Sequence, residues 1–580
     1  MTKPAINQLG AIGLMLDGDP TMLPDQAFTD ALNVRFNGRE IESCQGNYKA
    51  GYYTAKADTS HLGGVVPWLM QPVIFDAFSN GYRLLFTLGF NSPSDASPAG
   101  GVAVYQQSMG TPDYKLMASF PTYSASGQWF SYRGQINNCV FFGMAGQSPM
   151  GKAYNWTGFD TLPGWGEQTG GDQVVVIRRW SCKKIISFDN RMLMLNTVEE
   201  SAGGVDVPYP NRVRWSGFAQ ENAFPINWDD TALNRKPEEA APAVIDGFAG
   251  WQDMATQTQI VDACENGGTL YVYTERETFS LTPSGNDQSP FITKTVYSDL
   301  GCLDLGCSAN CHGYNYVFTG SDVVRHDAVS WKSIADGAVR DFISDMANDA
   351  GLGKVRMIGY PELSEVWLMI PGEQQAAGDY AKSIALTYNY VKGVWSKRTL
   401  PHIHDAAFVP IAPESTELPA QWDNIATVWD AETAAWGGGT NKIAQGVLVG
   451  LGGDLNNDVY VLNGGDKEWR WTYANGVYSM QQFPLQAYIE RRGLSFSVGN
   501  RNMVAEVYLN GKGTNDVTLS VGCADNPDGG YQWESQTMNL TSQRRSTWRA
   551  EGEAHAYRLE VSGSGAIPVG ISFTVRSTGR

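Results

Sequence analysis

Cysteine, charge and long apolar runs are all scarce in this chain. Eight cysteines in 580 residues are too few for a disulfide scaffold, and Cys44, Cys139, Cys182, Cys264 and Cys523 each stand alone. Charged residues make up 18%, below the usual ~25%. The shortage is on the basic side: 42 Lys and Arg stand against 60 Asp and Glu, for a net charge of −18. That balance opposes general affinity for nucleic acid or for anionic membranes, since both need basic patches. It leaves room for a surface that nucleic acid must pass without sticking. No apolar run approaches the ~20 residues of a membrane span. The opening Met1-Thr2-Lys3-Pro4-Ala5-Ile6-Asn7-Gln8 is polar and lacks a signal-peptide core. The chain is therefore expected to be made in a cytoplasm and kept reduced there. Catalytic signatures are missing as well: there is no phosphate-binding glycine loop, nucleophile elbow, zincin motif or dinucleotide glycine fingerprint after a strand.

Glycine and aromatic residues are plentiful, with 64 Gly and 12% Phe, Trp and Tyr. Glycine supplies the positive φ of tight turns, and aromatics fill pleated, half-buried surfaces. The two occur together in short modules: apolar or aromatic residues, a Gly, Asn or Asp turn, then more of the same. Examples are Val102-Ala103-Val104-Tyr105, Lys152-Ala153-Tyr154-Asn155-Trp156, Leu270-Tyr271-Val272-Tyr273, Tyr316-Val317-Phe318, Val366-Trp367-Leu368-Met369-Ile370 and Val459-Tyr460-Val461-Leu462. Their spacing, roughly 50 residues or double that, is close to the ~40–50 residues of a propeller blade. Two hairpins stand out. Lys184–Phe188 and Arg191–Leu195 flank the two-residue turn Asp189-Asn190, and Ile384–Tyr390 leads through Lys392-Gly393 to Val394-Trp395. Helical signal is confined to Ser333–Ile343, short and interrupted by Gly337.

The expected fold class is all-β, a β-propeller-like platform with an additional C-terminal β-sandwich. Residues 1–50 read as an N-terminal arm ending in a first hairpin around Asn37-Gly38. Residues 51–480 read as the propeller, with long Pro- and Gly-bearing excursions near 199–245 and 411–447 expected to be functional or interaction loops. From 481 to 580 the strands alternate polar and apolar, as in Val504–Leu509, Val517–Val521, Ala556–Val561 and Ile571–Arg576, which suggests a separate sandwich.

Few constellations could carry chemistry. Cys302, Cys307, Cys311 and His312 crowd into eleven residues, but zinc sites show paired ligands two to four residues apart in two halves. Small buried hydrophobes in a Gly-rich turn are the simpler reading. His402 and His404 would share a face of a strand, with no second cluster to complete a metal site. Asp528-Gly529-Gly530-Tyr531-Gln532-Trp533 has the form of the Asp box of sialidase propellers, with Asn526 where Ser or Thr is usual, in a single copy; a plain turn explains it. Asp229-Asp230 and Glu238-Glu239 are adjacent and would point apart in a strand, although glycosidase carboxylates can also meet from different strands. Arg544-Arg545 with Trp548-Arg549 could contact phosphate and stack on bases, or simply close a strand end. No catalytic, cofactor-binding or metal site is assigned, and no cofactor is expected.

Several passages together resemble the podovirus tail nozzle proteins, also described as packaged-DNA stabilisation or tail tubular proteins. They are Gly18-Asp19-Pro20, Leu23-Pro24, Ala27-Phe28, Ala31-Leu32-Asn33-Val34-Arg35-Phe36 and Gly46 at the start, and Arg212-Val213-Arg214-Trp215-Ser216-Gly217 in mid-chain. Leu270–Leu281 and Phe318–Val324 follow, and Tyr557-Arg558-Leu559 through Gly579-Arg580 is similar to the closing β-domain. The resemblance implies a virion component and no enzyme: a homohexameric ring below the portal and head-to-tail adaptor, forming the distal channel that retains packaged DNA and lets it leave. Tail fibres, spikes or a needle would attach to it. Six copies would carry 6 × −18 = −108 formal charges, and any that line the lumen would let phosphates slide past. The alternative is a tail-borne glycan-binding or glycan-degrading propeller, in which Trp156, Trp165 and Trp228 could stack on sugars.

Overall fold

The computed structural model describes residues 4–49, 65–72, 85–91, 102–107, 114–120, 131–144, 149–152, 160–161, 180–200, 204–219, 223–225, 228, 249–286, 289–350, 355–370, 383–401, 403–409, 447–452, 459–465, 467–474, 477–497, 499–513, 516–562 and 566–579. These residues are nearly all β, with one α-helix, Arg340–Ala350, among them. The fold is an all-β, propeller-like array of small antiparallel sheets with two further sheets built from the C-terminal sequence. The chain divides into two compact units: residues 1–48, 309–402 and 463–580 form the first, and residues 49–308 and 403–462 the second.

The second unit is a run of four-stranded meanders. Sheet I comprises Val65–Pro72, Leu85–Asn91, Val102–Gln107 and Tyr114–Phe120; sheet II comprises Ser131–Ile136, Cys139–Met144, Met150–Lys152 and Asp160–Thr161. Sheet III runs through Trp180–Phe188, Arg191–Glu200, Asp206–Trp215 and Gly250–Asp253, and sheet IV through Ile260–Asn266, Thr269–Thr274, Thr278–Pro283 and Phe291–Tyr297. A further sheet holds Ile403–Val409, Val447–Gly452 and Val459–Leu462. Each strand pairs with its sequence neighbour because tight turns join them. At Asp189-Asn190 both residues have positive φ, 50° and 54°, the type I′ geometry whose twist matches a two-residue hairpin. Gly267-Gly268 does the same at 59° and 75°. Successive sheets share cores: Tyr132, Phe141, Cys182 and Met194 join sheets II and III, and Leu195, Trp215, Val272 and Phe291 join sheets III and IV. Part of the stretch expected as an excursion from 199 is thus the third strand of sheet III. Residues 229–248 and 410–446 lie outside the described residues.

In the first unit the meander continues as sheet V (Ser308–Cys311, Tyr314–Phe318, Val323–His326, Trp331–Ser333) and sheet VI (Arg356–Tyr360, Glu365–Ile370, Ser383–Asn389, Val394–Leu400). The hairpin expected at Lys392-Gly393 has four loop residues rather than two, with Gly393 at φ 71°. The helix begins inside the expected Ser333–Ile343 window, at Arg340, and runs past it to Ala350. Ser333 ends a strand and Gly337 takes a left-handed φ of 69°, so the chain turns before Arg340 starts the helix. Asp17 accepts the backbone N–H groups of Arg340, Asp341 and Phe342, satisfying donors that a helix start leaves free.

Two C-terminal sheets face one another in the same unit. One orders Ala5–Asn7, Ala566–Gly579, Arg501–Gly513 and Arg545–Gly552; the other orders Asp30–Leu32, Gln486–Leu494, Ala554–Ser562, Asp516–Ala524 and Gln532–Asn539. Tyr557 of the second lies 5.8 Å from Phe573 of the first, ring to ring. The N-terminal residues contribute throughout the unit. Ala5–Asn7 pairs with Gly570–Ser572, Gly13–Leu14 extends sheet VI in parallel beside Trp395, and Asp30–Leu32 pairs with Tyr488–Glu490. Val34–Phe36 and Ile41–Ser43 close their own hairpin.

Candidate functional site

Several residues behind the family resemblance take part in buried polar bonds. In the first unit, Asn33 interrupts a strand run with φ 54°, a conformation that asparagine tolerates better than most residues. Its amide then reaches two other strands. Nδ2 donates to Thr399 Oγ1 at 3.1 Å and to the Gln486 carbonyl at 2.8 Å, while Oδ1 accepts the Thr399 N–H at 2.9 Å. Its own backbone N–H donates to the Lys397 carbonyl at 2.8 Å. One side chain therefore ties the N-terminal segment, sheet VI and the sandwich together.

Arginines do the same nearby. Arg491 is buried and donates to the carbonyls of Pro20 and Leu23 at 2.6 and 2.8 Å. The Gly18–Pro24 loop is thereby folded around a guanidinium whose planar fork suits two acceptors at once. Gly493 sits so close to Pro20 that a side chain there would clash with backbone. Arg35 meets the buried Glu365 at 2.7 Å, and Glu365 also accepts Trp367 Nε1 at 2.8 Å. Arg398 lies 4.3 Å over the Trp367 ring and donates to Asn463 and to the Gln45 carbonyl. Burial lowers the pKa of Arg398, opposed mainly by Cys44 and Glu365.

The second unit has two such nodes. Arg212, from the Arg212–Gly217 motif, is sandwiched between Tyr209 at 3.5 Å and Trp251 at 3.8 Å. It forms a bidentate pair with Asp253, at 2.7 and 3.1 Å, and shares Glu199 with Arg214. The alternation that puts Arg212 and Arg214 on this face sends Val213 and Trp215 to the core. Asp262 is fully buried, and its carboxylate receives the Lys184 ammonium, the Ala263 N–H, the Gly306 N–H at 3.2 Å and the Ser308 hydroxyl at 2.7 Å. It links sheets III and IV to the chain leaving sheet IV. Nothing in the local sequence marks Asp262 or Arg491; each becomes important only through partners brought by the fold.

Residues considered for chemistry are placed less favourably. Cys302 and Cys307 are buried in the second unit, while Cys311 and His312 belong to the first. Burial pushes the Cys302 thiol well up and raises Cys311, opposing the thiolate needed for a nucleophile or metal ligand. His312 occupies the left-handed turn before Gly313, stacked 5.1 Å from Tyr390. Among the described residues no group of three His, Cys, Asp or Glu could hold a metal ion. His402 lies outside those residues, as do Asp229, Asp230, Glu238 and Glu239. The Asp-box-like segment is a turn leading into Gln532–Asn539, with the Gly529 N–H on the Asn526 carbonyl at 2.9 Å and the Tyr531 hydroxyl on Pro527. Trp548 is buried and donates to Ser546, and Arg545 pairs with Glu506, so this cluster offers no stacking face. Trp228 is buried and donates to the Pro225 carbonyl; Trp156 and Trp165 lie outside the described residues. An open cleft of about 620 Å³ is lined by Met254–Thr258, Arg276, Glu277 and Ser298. Thr258 donates to the buried Thr274 hydroxyl, Thr256 donates to the Glu277 carboxylate, and the Thr256 and Thr258 hydroxyls lie 2.9 Å apart, which leaves these groups bonded to one another.

No protein-family model matches this chain, and no curated protein does. Among solved structures it is similar to apo AztD from Citrobacter koseri, at 9% identity and a TM-score of 0.27 over 86% of this chain and 98% of that one. A putative 6-phosphogluconolactonase from Bacteroides fragilis matches at 10% identity and 0.27, over 59% and 95%. An exo-beta-1,3-galactanase from Phanerochaete chrysosporium with galactose matches at 10% and 0.18, over 84% and 93%. At these scores the likenesses bear on neither substrate nor activity. No helix among the described residues is long and apolar enough to cross a membrane.

Proposed function

We propose that this chain is a structural component of a short-tailed phage virion: a tail nozzle assembled as a hexameric ring, retaining packaged DNA, supporting its ejection and carrying fibres, spikes or a needle. The observation that supports this best is the use made of the motif residues. Pro20, Leu23, Asn33 and Arg35 tie distant parts of the first unit together, and Arg212 and Arg214 are locked into one face of sheet III. Groups committed to internal bonds in this way, the Pro20 and Leu23 carbonyls included, serve a rigid scaffold and are unavailable to a substrate. The acidic balance fits a channel wall that DNA slides past, and the part of the chain that docks on the adaptor or portal belongs to the same reading.

The test is direct. Gold-labelled antibody against this chain should mark the tail tip of intact particles. Sizing should give a species near 380 kDa, six copies of the 63.3 kDa chain, alone or once the adaptor is added. A monomer that depolymerises capsular polysaccharide would replace this reading with the glycan-active one. A predominantly basic lumen in the assembled ring would remove the electrostatic argument while leaving the virion role to the labelling result.

A further inference from the structure

Two successive sheets of the first unit present the same exposed device. In sheet V, Asp327 follows the strand Val323–His326 and its Oδ1 accepts the backbone N–H groups of Val329 and Ser330, both at 2.8 Å. In sheet VI, Asn389 ends the equivalent strand and its Oδ1 accepts the N–H groups of Val391 and Lys392 at 3.1 and 3.0 Å. Each turn is the link between the third and fourth strands of its sheet. Each is closed again by backbone, Asp327 N–H to the Ser330 carbonyl and Gly393 N–H to the Asn389 carbonyl. At each tip stands a valine, 87% exposed at Val329 and 59% exposed at Val391. Trp331, just beyond the first tip, is 41% exposed.

A turn needs no valine. Its usual occupants are Gly, Asn, Asp, Ser and Pro, and a β-branched apolar side chain held in water by a side-chain-capped turn gains nothing for the fold. Repeated on neighbouring sheets, it reads as a contact. Beside the Asp327 carboxylate that caps the first turn, the tips carry cations. Lys332 follows one tip and Lys392 sits at the other, both exposed. The Asn37-Gly38 turn lies against the Lys392 side chain and carries the exposed Arg39. These cations stand on a molecule with 18 surplus negative charges. The strongest electrostatic complement to them is the acidic surface of another copy, whereas tip-to-tip pairing would oppose cation to cation.

We propose that the Val329 and Val391 tips are the donor side of a head-to-tail contact between copies of this chain: the valines and Trp331 bury against the neighbour, and Lys332 and Lys392 face its carboxylates. A contact between two unlike surfaces is the kind that generates closed rings. The inference rests on the ring reading only for the number of copies, and the experiment judges it separately.

The full-length chain is compared with Val329→Glu/Val391→Glu by analytical ultracentrifugation, and equal amounts of 14N- and 15N-labelled protein are cross-linked with a zero-length lysine–carboxylate reagent. The wild type is expected to self-associate. The double variant, altered only at exposed positions, should keep the same thermal transition and lose affinity by about 100-fold, as for central apolar anchors. Mixed-isotope cross-links should run from Lys332 or Lys392 to an Asp or Glu of the other copy. A wild type that stays monomeric overturns the proposal, as does a variant that associates as the wild type does or cross-links from these lysines only within one copy. In the last two cases the ring itself survives, so failure of this contact is distinguishable from failure of the virion reading.

Discussion

The two units are built from the same four-stranded unit and held together by different means. In the second, the buried acidic nodes tie neighbours along the chain: Lys184 and Asp262 are 78 residues apart, Arg212 and Asp253 only 41, and the long tie there is Arg133 to the Ala406 carbonyl, across 273 residues. In the first, the ties close very long loops. Arg491 holds Pro20 across 471 residues, Asn33 holds Gln486 across 453 and Arg35 holds Glu365 across 330. The cost of closing a loop rises only slowly with its length, so the long ties are affordable once the strands between them have folded. A local tie secures one pair of sheets; a long one makes the ends of the chain a condition of each other's order.

That contrast can be broken most severely at Asn33. Asn33→Ala leaves the Thr399 N–H and the Gln486 carbonyl without their partner and puts alanine in a left-handed conformation, at a cost of about 4 kcal/mol. Hydrogen exchange read by mass spectrometry should show protection lost together in residues 5–48, Val394–Leu400 and Gln486–Leu494, while sheets III and IV keep theirs. Loss confined to the mutated strand would mean the long ties are not cooperative. Asp262→Ala is the matched cut in the second unit. It strands a mostly buried Lys184 ammonium and should cost about 3 kcal/mol, with exchange rising in sheets III and IV and not in the sandwich.

Smaller effects sharpen the comparison. Arg212→Lys removes the bidentate pair and both ring contacts, for about 1–2 kcal/mol, and the fluorescence of Trp251 should become more accessible to a soluble quencher. An unchanged quenching constant would show that the guanidinium does not hold the ring. The two ends of the pH range should respond to different residues. His326 and His555, both in the first unit, are held below the ordinary histidine pKa by burial. Their neutral forms favour the folded state, so stability is full above about pH 6.5 and falls as pH drops through the depressed values. Burial in the second unit pushes the Cys182 thiol up to about 12 from an ordinary 9.0. Its contribution is complete below pH 9.0 and lost as pH rises toward about 12. His555→Gln should flatten the acid limb of the first unit, and Cys182→Ala the alkaline limb of the second. Equal flattening of both limbs by either variant would contradict the assignment.

The sequence was most legible where structure is local. Asp189-Asn190 takes the left-handed pair of a tight hairpin, and the alternating strands after residue 481 form two facing sheets, because turn chemistry and period-2 patterning act over a few residues. The helix was misplaced by several positions because its N-terminal cap, Asp17, lies 323 residues away. Asp262 and Arg491 carry no local signal, since partners contributed by other segments decide their burial. Val329 and Val391 did carry a local signal, an apolar residue two positions after an Asp or Asn at or just past a strand end. The signal means something only once both turns are found on equivalent corners of adjacent sheets.

The strand pairings of residues 5–48 also set a timetable for the ribosome. The pair of sheets enclosing Tyr557 and Phe573 takes strands from the first thirty-odd residues and from the last hundred. At a synthesis rate of ~5–20 residues per second, the opening strands wait roughly half a minute to two minutes for their partners. Through that interval the meanders of the second unit can close one after another as they emerge, while Ala5–Asn7 and Asp30–Leu32 remain strand edges without their partners.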